Sequence, residues 1–162
     1  MLWFTKKSRD IERPKTLGEL GELWAQEEYR KRGYSIVSRN EYNKKGKRAG
    51  EIDFIATTRD SIAFVEVKTR TSGVDRYGKG AESVNSYKQH KLLKAVKMFL
   101  ARNSRYQVLR PQIDVCVLEV TSARGYPGKH QDTNIVWHWA SNGVDNYQYS
   151  VTILENVVED WN

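Results

Sequence analysis

Two apolar segments joined by a short polar turn constrain the fold of this chain more than any other feature. Residues 50–56 read GEIDFIA and residues 61–70 read SIAFVEVKTR, and both segments are rich in β-branched and aromatic residues. The sequence TTRD between them supplies turn-forming residues. The pattern predicts a β-hairpin, so a sheet forms here and the remaining elements must pack around it.

Alternation of side chains along a strand predicts which residues of the hairpin share a face. In the first strand it groups Asp53 with Glu51 and Ile55, and it places Ile52 and Phe54 on the opposite face. We therefore expect Asp53 to project from the sheet on the same side as Ile55.

Glu66 and Lys68 are two residues apart on the second strand, so they project side by side. A carboxylate and an ammonium among apolar neighbours are costly to desolvate unless they meet each other, a metal ion or a ligand. With Asp53 they match the needs of phosphodiester hydrolysis, in which carboxylates hold one or two Mg²⁺ ions and a lysine stabilises developing charge. A structural salt bridge at the end of the hairpin is the alternative. These three residues alone leave both interpretations open.

The composition restricts the class of protein and of partner. A chain of 162 residues with a hydrophobic fraction of 39% suffices for one domain with a core. A formal net charge of +7 indicates a polyanionic partner, nucleic acid before membrane, although solubilising charge gives the same surplus. Cys116 is the single cysteine, and no apolar run resembles a signal peptide or a membrane span. We expect a cytoplasmic protein with no membrane partner.

The N-terminal part predicts a basic arm followed by a helix. Residues 1–15 are basic and irregular, which is typical of a solvated terminus or of a nucleic-acid contact. The sequence TLGE at residues 16–19 forms a capping box that starts a helix, and the helix is expected to run to about Arg32 and stop at Gly33. A short strand is predicted at residues 34–38.

Small residues on this first helix recur at helical spacing. Gly18, Gly21 and Ala25 form a narrow stripe that allows close approach to a sheet. Glu22 borders the stripe. It either reaches towards the sheet or is one glutamate among several on the helix, and spacing alone does not decide between the two.

A basic loop precedes the strand that contains Asp53. Residues 43–50 contain four basic side chains, which are Lys44, Lys45, Lys47 and Arg48. Such a loop either grips a phosphate backbone or forms a solvated hairpin tip.

A second helix is predicted at about residues 86–103. Extending its apolar stripe towards the N-terminus reaches Lys88, with Gln89 at the edge, so Lys88 is expected to point at the sheet. Lys91 falls largely elsewhere and belongs to a solvated or backbone-binding face.

Three further strands are predicted at residues 112–120, 135–139 and 147–154. Asp114 on the first of them either supports a metal site from behind or is a strand-end carboxylate with no such role. The aromatic residues of the other two strands either stack on bases, cover a sheet edge or build an oligomer contact. These aromatic residues are Trp137, Trp139, Tyr147 and Tyr149.

Several motifs occur together in this chain. They are GxxGExxA at residues 18–25, Tyr34, Arg39-Asn40, GEIDFIA at 50–56, FVEVKTR at 64–70, Lys88-Gln89 and IDV at 113–115. The combination resembles the YraN-like family of bacterial proteins. That family is a branch of the restriction-endonuclease-like (PD-(D/E)xK) superfamily and is similar in its core to archaeal Holliday-junction resolvases. The resemblance covers about residues 16–120 and extends weakly to residues 135–139.

The resemblance implies an α/β fold with a restriction-endonuclease-like core, in which helices flank a central mixed β-sheet. The tail from about Tyr147 to Asn162 has no counterpart in the family, and the strand pattern predicts a C-terminal β extension there. It also implies a Mg²⁺-dependent nuclease centre, with Mn²⁺ as a substitute. In that centre Asp53 is the metal-binding acid, Glu66 and Lys68 form the Glu-x-Lys pair, and Glu22 is the acid from the first helix. The polar residue from the second helix is Lys88 or Gln89. The expected metal ligands are Asp53, Glu66 and Glu22.

Together these observations predict an organisation and a function. We expect a basic arm at residues 1–15, a nuclease-like domain at 16–139, and an extension at 140–162 packed on or near that domain. The expected function is hydrolysis of DNA, in preference to RNA, with branched or recombination intermediates among the substrates. The expected nucleic-acid contacts are Lys44, Lys45, Lys47, Arg48, Arg70 and Lys91.

Two other classes of function remain open. One is a catalytically silent nucleic-acid-binding or scaffold protein that keeps the fold and the charge. The other is a homo-oligomeric interaction module, such as a homodimer, built on the C-terminal aromatic residues.

Overall fold

The computed structural model describes residues 16–42, 51–71, 86–122, 137–141 and 146–158. The predicted basic arm and basic loop lie outside the described residues. The described elements are α1 (Leu17–Lys31), β1 (Ser35–Tyr42), β2 (Glu51–Thr57), β3 (Ser61–Thr71), α2 (Ser86–Arg102), a short 3₁₀ turn (Ser104–Tyr106), β4 (Arg110–Ser122), β5 (Trp137–Ser141) and β6 (Asn146–Leu154).

The strands form one mixed sheet. Its six strands follow the order β1-β2-β3-β4-β6-β5. The β3–β4 pair is parallel, and the other neighbouring pairs are antiparallel. The predicted hairpin is confirmed as β2 and β3. A parallel pair needs a crossover, and the connection that contains α2 supplies it. The predicted α/β class and mixed sheet are confirmed, and the arrangement fits a restriction-endonuclease-like core.

A separate apolar cluster covers each face of the sheet. One cluster joins α1 to residues of the central strands, including Ala25, Tyr29, Phe54, Val65 and Leu118. The other joins α2 to the opposite face, including Ile55, Phe64, Leu92, Val96 and Val115. The central strands are therefore buried on both sides, as their nearly continuous apolar sequences indicate.

The predicted alternation of side chains in β2 is wrong at Ile52, which was expected to share a face with Phe54. Ile52 and Ile55 belong to the same cluster on the α2 side, although three positions separate them, and Phe54 lies on the α1 side. A regular strand cannot place residues an odd number of positions apart on one face. The β2–β3 ladder stops at the Phe54–Val65 pair. Beyond it, the Asp53 carboxylate accepts a hydrogen bond from the Val67 N–H at 2.6 Å, so it is directed at the backbone of β3.

Local signals fix the ends of α1 as predicted. The Thr16 hydroxyl accepts from the Glu19 N–H, and the Glu19 carboxylate accepts from the Thr16 N–H, which completes the capping box. Gly33 follows the helix with a φ of +86°, a conformation that favours glycine. No helix in the described part of the chain is long and apolar enough to cross a membrane.

Gly21 is the point of closest approach between α1 and β3. A Cβ atom there would lie 1.9 Å from Thr69 Oγ1, 3.0 Å from Thr69 Cβ and 3.1 Å from Thr69 Cγ2. Rotation of the threonine cannot relieve all three contacts. The glycine thus lets the helix backbone rest against the strand, beside Glu22 on the helix and Lys68 on the strand.

Gly21→Ala is expected to destabilise the protein by about 1–3 kcal/mol, because the extra methyl group overpacks the contact with Thr69. Gly18→Ala is the matched control. Its Cβ would meet only Thr16 Oγ1, at 3.8 Å. That change is expected to be neutral or to stabilise by up to about 1 kcal/mol through helix propensity. Urea unfolding of both variants measures the difference, and equal effects would contradict the close approach.

The C-terminal strands are part of the sheet. β6 lies between β4 and β5, and the expected domain boundary after residue 139 falls within β5. Trp24 of α1 stacks on Tyr149 of β6 with ring centroids 4.6 Å apart, and Tyr149 is 4% exposed. These two rings therefore cover the sheet. The side chains of Trp137 and Trp139 lie outside the described residues.

Asp114 connects three parts of the molecule. It is 1% exposed, and its Oδ2 atom accepts hydrogen bonds from the Tyr29 hydroxyl at 2.7 Å and the Gln112 amide at 2.9 Å. Its Oδ1 atom accepts the Asn156 N–H at 2.9 Å. Burial and the adjacent carboxylate raise the pKa of Tyr29 far above its ordinary value, so the phenol stays protonated. Asp114 thus fastens α1 and the segment after β6 to β4.

Candidate active site

The candidate site lies where β2 separates from β3. Asp53 is the first residue beyond the Phe54 end of the β2–β3 ladder, and its hydrogen bond to the Val67 N–H holds the carboxylate against β3. Glu66 precedes Val67 and is 6% exposed. The Asp53 and Glu66 carboxylates, from neighbouring strands, are therefore close enough to repel each other.

Two lysines neutralise Glu66 in this arrangement. Lys68 Nζ donates to Glu66 Oε1 at 2.5 Å, and Lys88 Nζ donates to the same oxygen from α2. The Glu66 side chain is 7% exposed, whereas those of Lys68 and Lys88 are 28% and 34% exposed. The expectation from helix periodicity that Lys88 points at the sheet agrees with this contact. The two ammonium groups thus neutralise the buried Glu66 carboxylate, and both lysine side chains remain partly exposed to water.

Asp53 is in a different electrostatic situation. Its pKa is raised to about 7, first by desolvation and then by repulsion from the charges of Glu66 and Glu22. The hydrogen bond from the Val67 N–H and the charge of Lys68 lower the pKa of Asp53 but do not offset these effects. At neutral pH the ionised form of Asp53 is therefore electrostatically unfavourable, and an additional cation would stabilise it.

Lys68 keeps its proton at this site. Burial lowers the pKa of its ammonium group, but the hydrogen bond and the charge of Glu66 outweigh burial, so the pKa is raised overall. Lys68 is therefore a fixed positive charge next to both acids.

The other residues predicted for the site lie at different distances from it. Glu22 is half-buried on α1, and its charge acts on Asp53. Gln89 lies at the end of a groove beside α2. Arg70 is half-buried on β3, two residues beyond Lys68. Lys91 Nζ lies 4.3 Å from the centroid of the Tyr87 ring. The basic-loop residues Lys44, Lys45, Lys47 and Arg48 lie outside the described residues.

Two residues on elements next to Asp53 or Glu22 were assigned no role in the sequence analysis. Asn40 of β1 lies opposite Asp53, between the Arg39–Phe54 and Glu41–Ile52 pairs, and it has a φ of +48°. Gln26 is 2% exposed on α1, and its Oε1 atom has no hydrogen-bond partner among the described residues. Two sequence signals could have drawn attention to these residues. Asparagine tolerates positive φ, and Gln26 lies one helical turn after Glu22.

The donor set fits a hard divalent cation that keeps water ligands. Within the described ranges, no three His, Cys, Asp or Glu side chains are grouped closely enough to hold a metal ion by themselves. The charge of Glu22 acts on Asp53, and its role as a third ligand stays a prediction. Asp53 and Glu66 would hold the ion, and Mg²⁺ suits such a pair because it binds through one or two carboxylates and retains waters.

The fold limits the class of protein. The mixed sheet between two helices is consistent with a restriction-endonuclease-like core. Residues 21–118 match the family described as the uncharacterised protein family UPF0102. The chain belongs to this family, which is the YraN-like family. The match includes the candidate site from Glu22 to Gln89 and ends before β5 and β6.

Curated relatives from several bacteria carry the same family description. A UPF0102 protein of Caldanaerobacter subterraneus subsp. tengcongensis is 39% identical over 101 residues, which are 62% of this chain and 77% of the relative. A UPF0102 protein of Carboxydothermus hydrogenoformans is 34% identical over 117 residues, covering 70% of this chain and 93% of the relative. One from Treponema pallidum is 39% identical over 123 residues, covering 75% and 88%.

Proposed function

We propose that this protein is a divalent-metal-dependent endonuclease that hydrolyses DNA phosphodiester bonds, with branched or recombination intermediates among its substrates. The observation that supports the proposal best is the contrast between its two acids. Glu66 is neutralised by Lys68 and Lys88, whereas Asp53 is desolvated and repelled by neighbouring acids. A purely structural ion cluster has no need of the second acid, but a site for Mg²⁺ or Mn²⁺ does.

Each side chain has a distinct role in the proposed reaction. Asp53 and Glu66 hold the cation, which supplies an activated water and neutralises charge on the phosphate. The Val67 N–H fixes the orientation of Asp53. Lys68 remains protonated and stabilises negative charge that develops on the phosphate oxygens. Lys88 places a second positive charge at the same position from α2.

The charge of the chain supports nucleic acid as the partner. A net charge of +7 favours association with a polyanion. The buried free thiol of Cys116 fits a reducing compartment, and we propose the cytoplasm as the location.

A nucleic-acid-binding protein without catalytic activity is the second candidate. The observation that favours it is the closed ion cluster of Glu66, Lys68 and Lys88, which satisfies these three charges without a metal. On this alternative, the half-buried Asp53 carboxylate would lower the stability of the protein and serve no function.

Cleavage assays separate the two candidates. We expect the purified protein to cleave linear, flapped or four-way DNA when Mg²⁺ or Mn²⁺ is present. We expect no cleavage when EDTA removes these ions. Asp53→Asn and Lys68→Met are expected to reduce the rate at least about 100-fold, because each removes a charge that acts on the reacting phosphate. Asp60→Asn in the exposed β2–β3 turn is the matched control and should cleave normally.

Two outcomes would contradict the nuclease. Cleavage that survives Asp53→Asn would remove the assigned roles. Tight, salt-sensitive DNA binding without cleavage of any of these substrates would favour the silent alternative. Calorimetric titration adds an independent measurement, since Mg²⁺ and Mn²⁺ are expected to bind the wild type and not the Asp53→Asn variant.

A further inference from the structure

A groove outside the candidate site follows α2. It has a volume of about 940 Å³ and lies between α2 and residues 156–158 of the segment after β6. Gln89 lines one end, directly after Lys88, whose ammonium group contacts Glu66. Ala101 lines the other end. The groove therefore starts beside the candidate site and leads away from it.

The groove combines positive charge with apolar surface. Lys94 and Lys97 line it, and both are exposed. Neither forms an ion pair with another described residue. They are one helical turn apart, so their Cβ atoms are about 5–6 Å from each other along the wall. Leu93 and Val157 contribute apolar lining from the two sides.

We propose that this groove binds a short stretch of single-stranded nucleic acid, with phosphates at Lys94 and Lys97 and bases against the apolar lining. The inference deepens the proposed function and rests on it, because it assigns the substrate a single-stranded segment next to the bond that is cut. A flap or a tail adjoining a duplex has this form.

The dimensions of the groove agree with a single strand. From Gln89 to Ala101, α2 rises about 18 Å at 1.5 Å per residue. One strand of a B-form helix has a phosphate every ~3.4 Å, so this length accommodates at most about five nucleotides and fewer in an extended strand. A duplex presents phosphates and sugars and hides its bases, so it would leave the apolar lining uncovered. Charge complementarity with the two lysines selects an anionic occupant, and the adjoining phosphodiester site favours a polynucleotide over an acidic peptide.

Binding in EDTA tests this inference without any cleavage. The probes are fluorescent oligothymidylates of four, six and twelve nucleotides and a duplex of twelve base pairs, followed by anisotropy at several salt concentrations. We expect Lys94→Gln/Lys97→Gln to weaken binding of the longer single strands by about tenfold or more at low salt. The slope of log K against log salt should fall by about 1.4, because two single-strand phosphate contacts are lost.

The control variant is Arg59→Gln/Arg110→Gln, which removes the same charge from exposed positions near the β2–β3 turn. It is expected to change affinity less than about twofold beyond the general effect of net charge. Equal thermal midpoints of the two variants ensure that folding is not the cause. An abasic strand of the same length tests the apolar lining and should bind the wild type several-fold more weakly.

Three results would overturn the inference. They are equal losses in the groove and control variants, equal binding of the abasic strand, and duplex binding as tight and as dependent on Lys94 and Lys97 as single-strand binding. Failure of the nuclease proposal can be distinguished from failure of the groove inference. A protein that shows the expected binding but never cleaves retains the groove site, and one that cleaves with no effect of the lysines loses only this inference.

Discussion

Asp53→Asn is expected to make the metal-free protein more stable than the wild type while it abolishes cleavage. The amide oxygen still accepts the Val67 N–H, but the substitution removes a desolvated negative charge that Glu66 and Glu22 repel. A residue that lowers the stability of the fold and is required for activity is typical of a functional site.

The expected gain depends on pH with a definite sign. Folding raises the pKa of Asp53 from 3.8 to about 7, so the folded state favours the protonated carboxyl. The stabilisation from that proton is complete below the unfolded value of 3.8 and is lost as the pH rises through about 7. At 1.36 kcal/mol per pKa unit, the wild type loses at most about 4 kcal/mol. The amide variant has no such loss.

Urea and thermal unfolding in EDTA measure this difference. At pH 8 we expect the variant to be more stable by about 2–4 kcal/mol, or roughly 5–15 °C in thermal midpoint. The gap should shrink as the pH is lowered towards 4. With Mg²⁺ added, the wild type should regain stability and the variant should not. A variant less stable than the wild type at pH 8 would show that its neighbours already stabilise the Asp53 anion.

Glu66→Gln is expected to destabilise the protein, although the chemical change is the same as at Asp53. The Glu66 carboxylate is the shared acceptor of Lys68 and Lys88. A neutral amide leaves two ammonium groups facing each other without their shared counter-ion, and only Asp53 remains as an acid beside Lys68. Breaking a fully buried pair costs about 3–5 kcal/mol, but both lysines are partly exposed to water, so we expect about 1–3 kcal/mol.

The double variant Glu66→Gln/Lys88→Met isolates this cause. Removing one ammonium relieves the repulsion, so the double variant should recover part of the stability that the single variant loses. High salt should also reduce the loss because it screens the two cations. If Glu66→Gln instead stabilises the metal-free protein as Asp53→Asn does, the lysine contacts do not form in solution. Opposite signs for the two substitutions distinguish the roles of the two acids.

Much of the local structure could be predicted from the sequence. The TLGE capping box, Gly33 and the TTRD turn fixed the start of α1, its end and the hairpin, because caps and turns depend on a few neighbouring residues. The apolar stripe of α2 predicted that Lys88 faces the sheet. These signals depend only on the spacing of residues within one helix or turn, and that spacing is the same whatever the rest of the fold is.

The orientation of Asp53 could not be predicted in the same way. Alternation predicts its face only while the β2–β3 ladder is regular, and the ladder stops at Phe54. The carboxylate then bonds to a backbone group of the neighbouring strand. Neither the end of the ladder nor this hydrogen bond produces a periodic pattern in the sequence. Both depend on how β2 and β3 are placed relative to each other in three dimensions.

The sequence by itself determined the hairpin, the helices and which charged residues are available to the candidate site. Only the tertiary structure decided that β6 enters the sheet between β4 and β5, that one acid is neutralised by lysines from β3 and α2, and that the other is left in a desolvated, repulsive position. The physical reason is the separation along the chain over which each kind of interaction acts. Propensity and periodicity act between near neighbours in the chain, whereas strand order, ion pairing and desolvation depend on residues that only folding brings together.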